Sequence, residues 1–293
     1  NLCPDRRHMF IQRLNWAAIG PTALFVLLWS AGAIFSKWGL EHASAFAFLL
    51  LRFVLACAAL GLLALTRRRW LPARGTRKQV ALVGVLLTGG YTIFYLLSLD
   101  AGLTPGVLAT VLGVQPILTL MLVERRANLL RVLGLLLALG GLTLVVLDSL
   151  LAARFSLLGI GLSLAALLCI TLGSIFQKGI QQSPMDVLPL QYAIGLLMCA
   201  VVVPFQPFEV EWSVGFIVPL LYMGVLISVG ATLLLYRLIR MGNLVNVTSL
   251  FYLMPGCTAL LDFLFLGNRM AALSLLGMGA IVLGLVLVFR QRD

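Results

Sequence analysis

The chain has 293 residues, 61% of them hydrophobic and 11% charged, with a mean hydropathy of +1.08 and a formal net charge of +11. That mixture excludes a soluble globular domain, and apolar runs of about 20 residues recur at the length of helix that crosses a bilayer core. A transmembrane barrel needs alternating segments of roughly ten residues, and the sequence has none.

Ten helical spans are predicted: 16–37, 44–66, 79–99, 104–123, 130–150, 157–178, 187–207, 214–238, 244–266 and 271–290. The fold class is all-α and polytopic, with linkers too short to hold an extramembrane activity. Asn1 opens the chain and Met9 precedes FIQRLNW, so residues 1–8 read as upstream or added sequence. The first apolar segment is long and lacks a small-residue cleavage site, so no cleavable signal peptide is expected.

The first span carries Trp29, Ser30 and Ser36 and ends in GAIFSK at 32–37. The second holds Arg52, the one charge clearly inside a span. Such a residue faces the bundle interior and has a partner; here that is either a substrate carboxylate or backbone carbonyls near the outer mouth. The basic loop TRRRWLPARGTRK at 66–78 reads as a solvated loop near anionic lipid rather than a nucleic-acid site.

The third span places Thr88, Tyr91, Thr92, Tyr95 and Ser98 at spacings of three and four, on one helical face. Two readings stand. The hydroxyls tie helices together, or they line a cavity in which tyrosine rings stack and hydroxyls supply polar tips. The fourth span contains Gln115–Pro116, and the fifth Gly134, Gly140 and Gly141, small residues that let backbones approach as scaffold or between protomers.

The sixth span, with Thr171, Ser174, Phe176, Gln177 and Lys178, ends in GSIFQK at 173–178 and repeats the first at an offset of 141. Pro184 and Pro189 interrupt the link to the seventh. The eighth carries Ser228, Thr232 and Tyr236. The ninth carries Asn246, Ser249, Tyr252 and Pro255–Gly256, and the tenth Gly277, Gly279 and Gly284. Tyr95 answers to Tyr236, Gly102 to Gly242, Pro116 to Pro255, and Gly134 and Gly141 to Gly277 and Gly284, all within two residues of one offset. The second half is a duplicate of the first.

Seventeen basic residues fall on the side of the N-terminus and three (Lys37, Arg154 and Arg269) on the other, which predicts both termini in the cytoplasm. Each half has five spans, so the halves enter the membrane from opposite sides. This is the inverted repeat of transporters, with a substrate site near the midplane. Proline breaks at matching positions point to the same site or its hinges.

His8 and His42 are the only histidines, and nine of the ten acids lie in loops, termini or helix ends, with Asp262 close to the end of the ninth span. No metal site, cofactor site or catalytic nucleophile with a partner emerges, so the chain is not read as an enzyme. The five cysteines are isolated and read as packing residues.

The ten spans in inverted halves, GAIFSK and GSIFQK, the Pro116/Pro255 pair and the glycine-rich ends resemble the EamA type of the drug/metabolite transporter superfamily. The repeats lie at 15–150 and 157–290. The Trp29–Ser30 span, TGGYTIFYLLSLDAG at 88–102 and the short fourth span most closely resemble the bacterial YddG-type exporters of aromatic amino acids. That resemblance implies a multi-pass protein of the bacterial inner membrane, as monomer or weak homodimer, with a central cavity that opens to each side in turn. It carries cavity positions onto Tyr91, Thr92 and Tyr95, with Trp29 and Phe176. Ser30, Gln177 and Tyr252 complete the expected substrate-binding set, and Pro116, Pro255 and Gly256 the expected hinges. The expected substrate is an amino acid, aromatic by preference, moving by facilitated diffusion. The alternative is another small neutral metabolite or drug, with proton coupling. The first span lacks the buried glutamate of the small multidrug members, which argues against lipophilic-cation exchange.

Overall fold

The structure is a computed structural model that describes residues 16–67, 71–124, 128–151, 156–266 and 272–290. Residues 1–8, and ten of the basic residues counted for orientation (Arg6, Arg7, Arg13, Arg68, Arg69, Arg125, Arg126, Arg154, Arg269 and Arg292), lie outside the described residues.

The helices are α1 (Trp16–Leu40), α2 (Ala45–Arg67), α3 (Arg77–Asp100), α4 (Pro105–Val123), α5 (Leu129–Val145), α6 (Leu157–Lys178), α7 (Pro184–Val202) and α8 (Val214–Met241). Helix α9 comes in three pieces, Leu244–Ser249, a 3₁₀ turn at Leu250–Tyr252 and Leu253–Leu266, and α10 is Ala272–Phe289. Among the described residues nine are long and apolar enough to cross a bilayer, and α5, at 17 residues, is shorter. The predicted span 130–150 is divided at Val146, after which Leu147–Leu151 forms a separate turn. Pro184 does not interrupt a connection but starts α7, where its missing N–H costs nothing, and Pro189 lies within that helix. The predicted seventh span therefore begins three residues early, at 184 rather than 187.

The most extensive packing crosses from one half to the other. Helices α2 and α7, α4 and α9, and α5 and α10 each pack on their own counterpart, while α1 packs on α8 as α6 packs on α3. The anchor glycines serve this exchange. A Cβ on Gly32 would stand 3.2 Å from Ile227 of α8, and one on Gly173 would stand 3.0 Å from Leu87 of α3.

Between α5 and α10 the approach is closest. A Cβ at Gly134 would meet the Gly284 carbonyl at 2.7 Å and one at Gly284 the Gly134 carbonyl at 2.5 Å; Gly141 and Gly277 stand in the same relation at 2.5 Å. Any side chain there would collide with backbone. The first repeat position of one helix meets the second of the other, as an antiparallel pair related by a two-fold requires. These four glycines join the two halves of one chain as scaffold, whereas Gly140 and Gly279 are exposed and outside that contact.

Contacts between linkers sort the helix ends. Ser44 and His42 reach Glu209 and Glu211 at one end, where Ala43 and Val210 form an isolated β-bridge. At the other end Arg67 pairs with Asp186 at 3.3 Å, Gln182 donates to Thr76, and Lys178 donates to the carbonyls of Arg240 and Gly242.

Candidate functional site

Helices α3 and α8 share an irregularity that the hydropathy pattern does not reveal. Gly84–Gly90 and Tyr222–Ala231 are π-helical, at equivalent positions of the two halves. A π turn widens the helix by about one residue and is frequent at functional sites. Small residues permit it and hydroxyls support it. Ser228 donates to the Met223 carbonyl at 2.8 Å and Thr232 to that of Ile227 at 3.0 Å, each five residues back, while Thr92 donates to Thr88 and Gly89. The widened turns also admit α7: a Cβ on Gly84 would lie 2.9 Å from Gln191, and one on Gly195 would lie 2.7 Å from Thr88.

Around these turns a polar cluster forms from α2, α3, α7 and α8. Arg52 Nε donates to Ser228 Oγ at 2.8 Å, and Tyr192 and Tyr91 stand beside its guanidinium. The rings of Tyr91 and Tyr95 meet edge to face at 5.9 Å. The Tyr192 hydroxyl lies 3.3 Å from Thr232 Oγ1, and its ring meets Phe53 at 5.7 Å. Tyr91, Thr92, Tyr95 and Arg52 are half-buried, whereas Ser228 is fully buried.

The remaining predicted positions divide. Trp29 belongs to a second aromatic group, 5.3 Å from Phe25 and 5.8 Å from Phe251. Ser30 is fully buried, donates to Met254 Sδ at 3.5 Å, and has its carbonyl taken by Thr258. Gln177 accepts from Gln191 Nε2 at 3.0 Å, and Tyr252 donates to the Gly113 carbonyl at 2.6 Å. Those three polar groups are engaged in joining helices. Phe176 does not join the cluster. It is 38% exposed and lies in line with the exposed Leu164, Leu168 and Leu172 of α6.

The prolines act as expected of kink residues. Helix α4 breaks at Gly113–Val114 and α9 passes through its 3₁₀ turn, in both cases within one turn before the proline. Gly256 is buried, and a Cβ there would stand 3.1 Å from Met278 of α10.

Sequence reasoning missed Tyr192 and Gln191, although a signal existed. LLLRF at 49–53 and LPLQY at 188–192 are 139 residues apart, the offset of Pro116 and Pro255. Arg52 thus answers to Gln191, and Phe53 to Tyr192. A separate buried network joins α4, α5 and α9. Arg131 pairs with Glu124 at 2.7 Å and donates to Asn243 and Asn246, both at 2.8 Å. Among the described residues no three potential metal ligands gather.

The sequence profile of the EamA-like transporter family matches this chain twice, at residues 17–147 and 157–290. The chain belongs to the EamA-like transporter family. It is a multi-pass membrane protein that transports a small metabolite or drug, and it is not an enzyme. One solved structure, described only as a crystal structure of a protein, superposes with a TM-score of 0.72 over 92% of this chain and 96% of that one. At 19% identity that likeness speaks for the fold. No curated protein matches by sequence.

Proposed function

We propose that this EamA-family protein exports amino acids, aromatic ones by preference, by alternating access and down their gradient, as a YddG-type exporter does. The observation that carries the reading is the half-buried pair Tyr91 and Tyr95, edge to face at 5.9 Å beside the π turns of both halves. Tyrosine rings in a part-exposed interior offer stacking area with polar tips. Packing that crosses between inverted halves, with matched breaks before Pro116 and Pro255, supports one half rocking against the other. The repeats at 15–150 and 157–290 are the moving units of this proposal, and Pro116, Pro255 and Gly256 its hinges.

The test is flux of a labelled amino-acid panel through the purified chain in liposomes. Saturable movement of phenylalanine, tyrosine or tryptophan is expected; flux of neutral metabolites or drugs with none of these would overturn the substrate. The orientation belongs to the same proposal, with both termini cytoplasmic. Tags at the two ends reporting opposite sides would remove the inverted repeat from the mechanism.

A further inference from the structure

We propose that Arg52 is an anion-binding group of the transport site, taking the carboxylate of the substrate. The inference rests on the exporter reading above and adds the chemistry that reading leaves open.

Arg52 is the eighth residue of α2, about 10 Å along the axis from its start at 1.5 Å per residue. The outward stripe of α2 is given by Val54, Leu62 and Leu65, exposed by 46, 64 and 58%. Arg52 is two residues from Val54, and at 100° per residue it lies on the far side of the helix, with the buried Leu49 and Ala56. Its partial exposure therefore opens into the bundle and not to lipid. The side chain does not snorkel to the near end of the helix either. It reaches Ser228, the fifteenth residue of the 28 in α8, whose own hydroxyl proton is committed to Met223.

A cation inside a membrane protein pairs with an anion or with backbone carbonyls, as Lys178 does with those of Arg240 and Gly242. Arg131 shows the rule in this chain, with Glu124 at 2.7 Å. Among the described residues the groups recorded beside Arg52 are Ser228, Tyr192 and Tyr91, none of them a carboxylate. A guanidinium has five N–H donors in a planar fork suited to bidentate carboxylate binding. Ser228 takes Nε and fixes the plane of that fork, and the Tyr192 hydroxyl is too little to occupy the rest.

The duplication supplies an internal control. At the equivalent position of α7 the chain has Gln191, which is fully buried and donates to Gln177. The counterpart helix therefore forms with a neutral amide at that position, in a neighbourhood of its own. The fold does not require the charge, and the half that carries it places it beside Tyr91, whose ring meets Tyr95. An aromatic amino acid with its ring on the tyrosines has its carboxylate within the reach of Arg52.

The test compares three ligands by calorimetric binding to the full chain in lipid nanodiscs: L-phenylalanine, L-phenylalaninamide and 3-phenylpropanoate. Both carboxylates should bind at least about tenfold tighter than the amide, and Arg52→Gln should remove that preference while leaving the amide unchanged. Arg52→Lys should keep part of it. Equal binding of acid and amide by the parent, or an undiminished preference in Arg52→Gln, would make Arg52 a structural tie and leave the exporter reading standing. Arg52-dependent binding of 3-phenylpropanoate without binding of phenylalanine would do the reverse. Should Arg52→Gln fail to fold, phenylglyoxal labelling of the parent, read by mass spectrometry, decides. Arg52 should be modified in the empty protein and protected by 3-phenylpropanoate but not by the amide; no modification, or no such protection, overturns the proposal.

Discussion

The Tyr252 hydroxyl donates to the Gly113 carbonyl at 2.6 Å, and the two residues occupy the same position in the two repeats. They are 139 residues apart, as are Pro116 and Pro255 and the touching rings of Phe53 and Tyr192. A residue that touches its own counterpart lies beside the axis relating the halves. The bond also has a local cause. Pro116 has no N–H, and Ile117 turns its own to Val114 at 3.0 Å, so the Gly113 carbonyl loses its helical donor. Tyrosine in one half completes the break in the other.

Tyr252→Phe keeps the ring and removes that donor, leaving a part-buried carbonyl unpaired. A loss of about 1–3 kcal/mol of stability is predicted, read as a lower unfolding temperature in detergent. An unchanged transition would mean that water or another group satisfies Gly113.

The α5–α10 contact makes a sharper prediction because the chain contains its own control. Alanine at Gly284 must push its methyl against the Gly134 carbonyl, whereas alanine at Gly279 enters open space. Gly284→Ala should cost about 1–3 kcal/mol as overpacking against backbone, and Gly279→Ala should stay within about 0.5 kcal/mol. The same contrast is expected between Gly141 and Gly140. Equal effects within a pair would show that the helices part more easily than their packing implies.

The span count, the duplication and the proline breaks were legible because each leaves a mark on sequence alone: twenty apolar residues, a repeated GxIFxK, a missing amide. Which way a helix faces was not. In water an apolar stripe identifies the buried side, but in a bilayer lipid and interior are both apolar, and the stripe loses its meaning. Phe176 shows the consequence. It follows GSI as Phe35 follows GAI and reads as a cavity residue, yet it continues the exposed line of Leu164, Leu168 and Leu172. The π turns were hidden for another reason. In α8 the turn is accompanied by i−5 bonds from Ser228 and Thr232, and hydropathy does not register such bonds. Polar residues remained readable throughout, because a hydroxyl or guanidinium cannot face hydrocarbon without cost. Arg52 and the Tyr91–Tyr95 face were therefore visible as interior from the start.

For the tyrosine pair, alanine at Tyr91 or Tyr95 should lower flux of an aromatic amino acid about tenfold or more, consistent with loss of a stacking surface. Expression and unfolding temperature should change little, since both side chains are half-buried. Phenylalanine should be milder, because it retains the ring. Full transport by the double alanine variant would return the stripe to packing.

Energetics give the last prediction. A proton-driven antiporter needs a group in the pathway that alternates between proton and substrate. Among the described residues His42 and the acids Glu41, Asp100, Glu124, Asp148, Asp186, Glu209 and Glu211 lie in linkers or at helix ends. Lys178, also terminal, is tied to the carbonyls of Arg240 and Gly242. Arg52 stays protonated in proteins and offers no exchangeable proton. The substrate is therefore predicted to equilibrate across a liposome membrane without an imposed pH difference, and a zwitterion crossing alone should respond little to membrane potential. Asp262 is the exception to test. It belongs to the last piece of α9, and its side chain lies outside the described residues. Uptake should be measured against a pH gradient in the parent and in Asp262→Asn. Equal plateaus with and without the gradient, in both proteins, are expected. Accumulation above equilibrium that a protonophore collapses would overturn facilitated diffusion, and its loss in Asp262→Asn would identify the proton site.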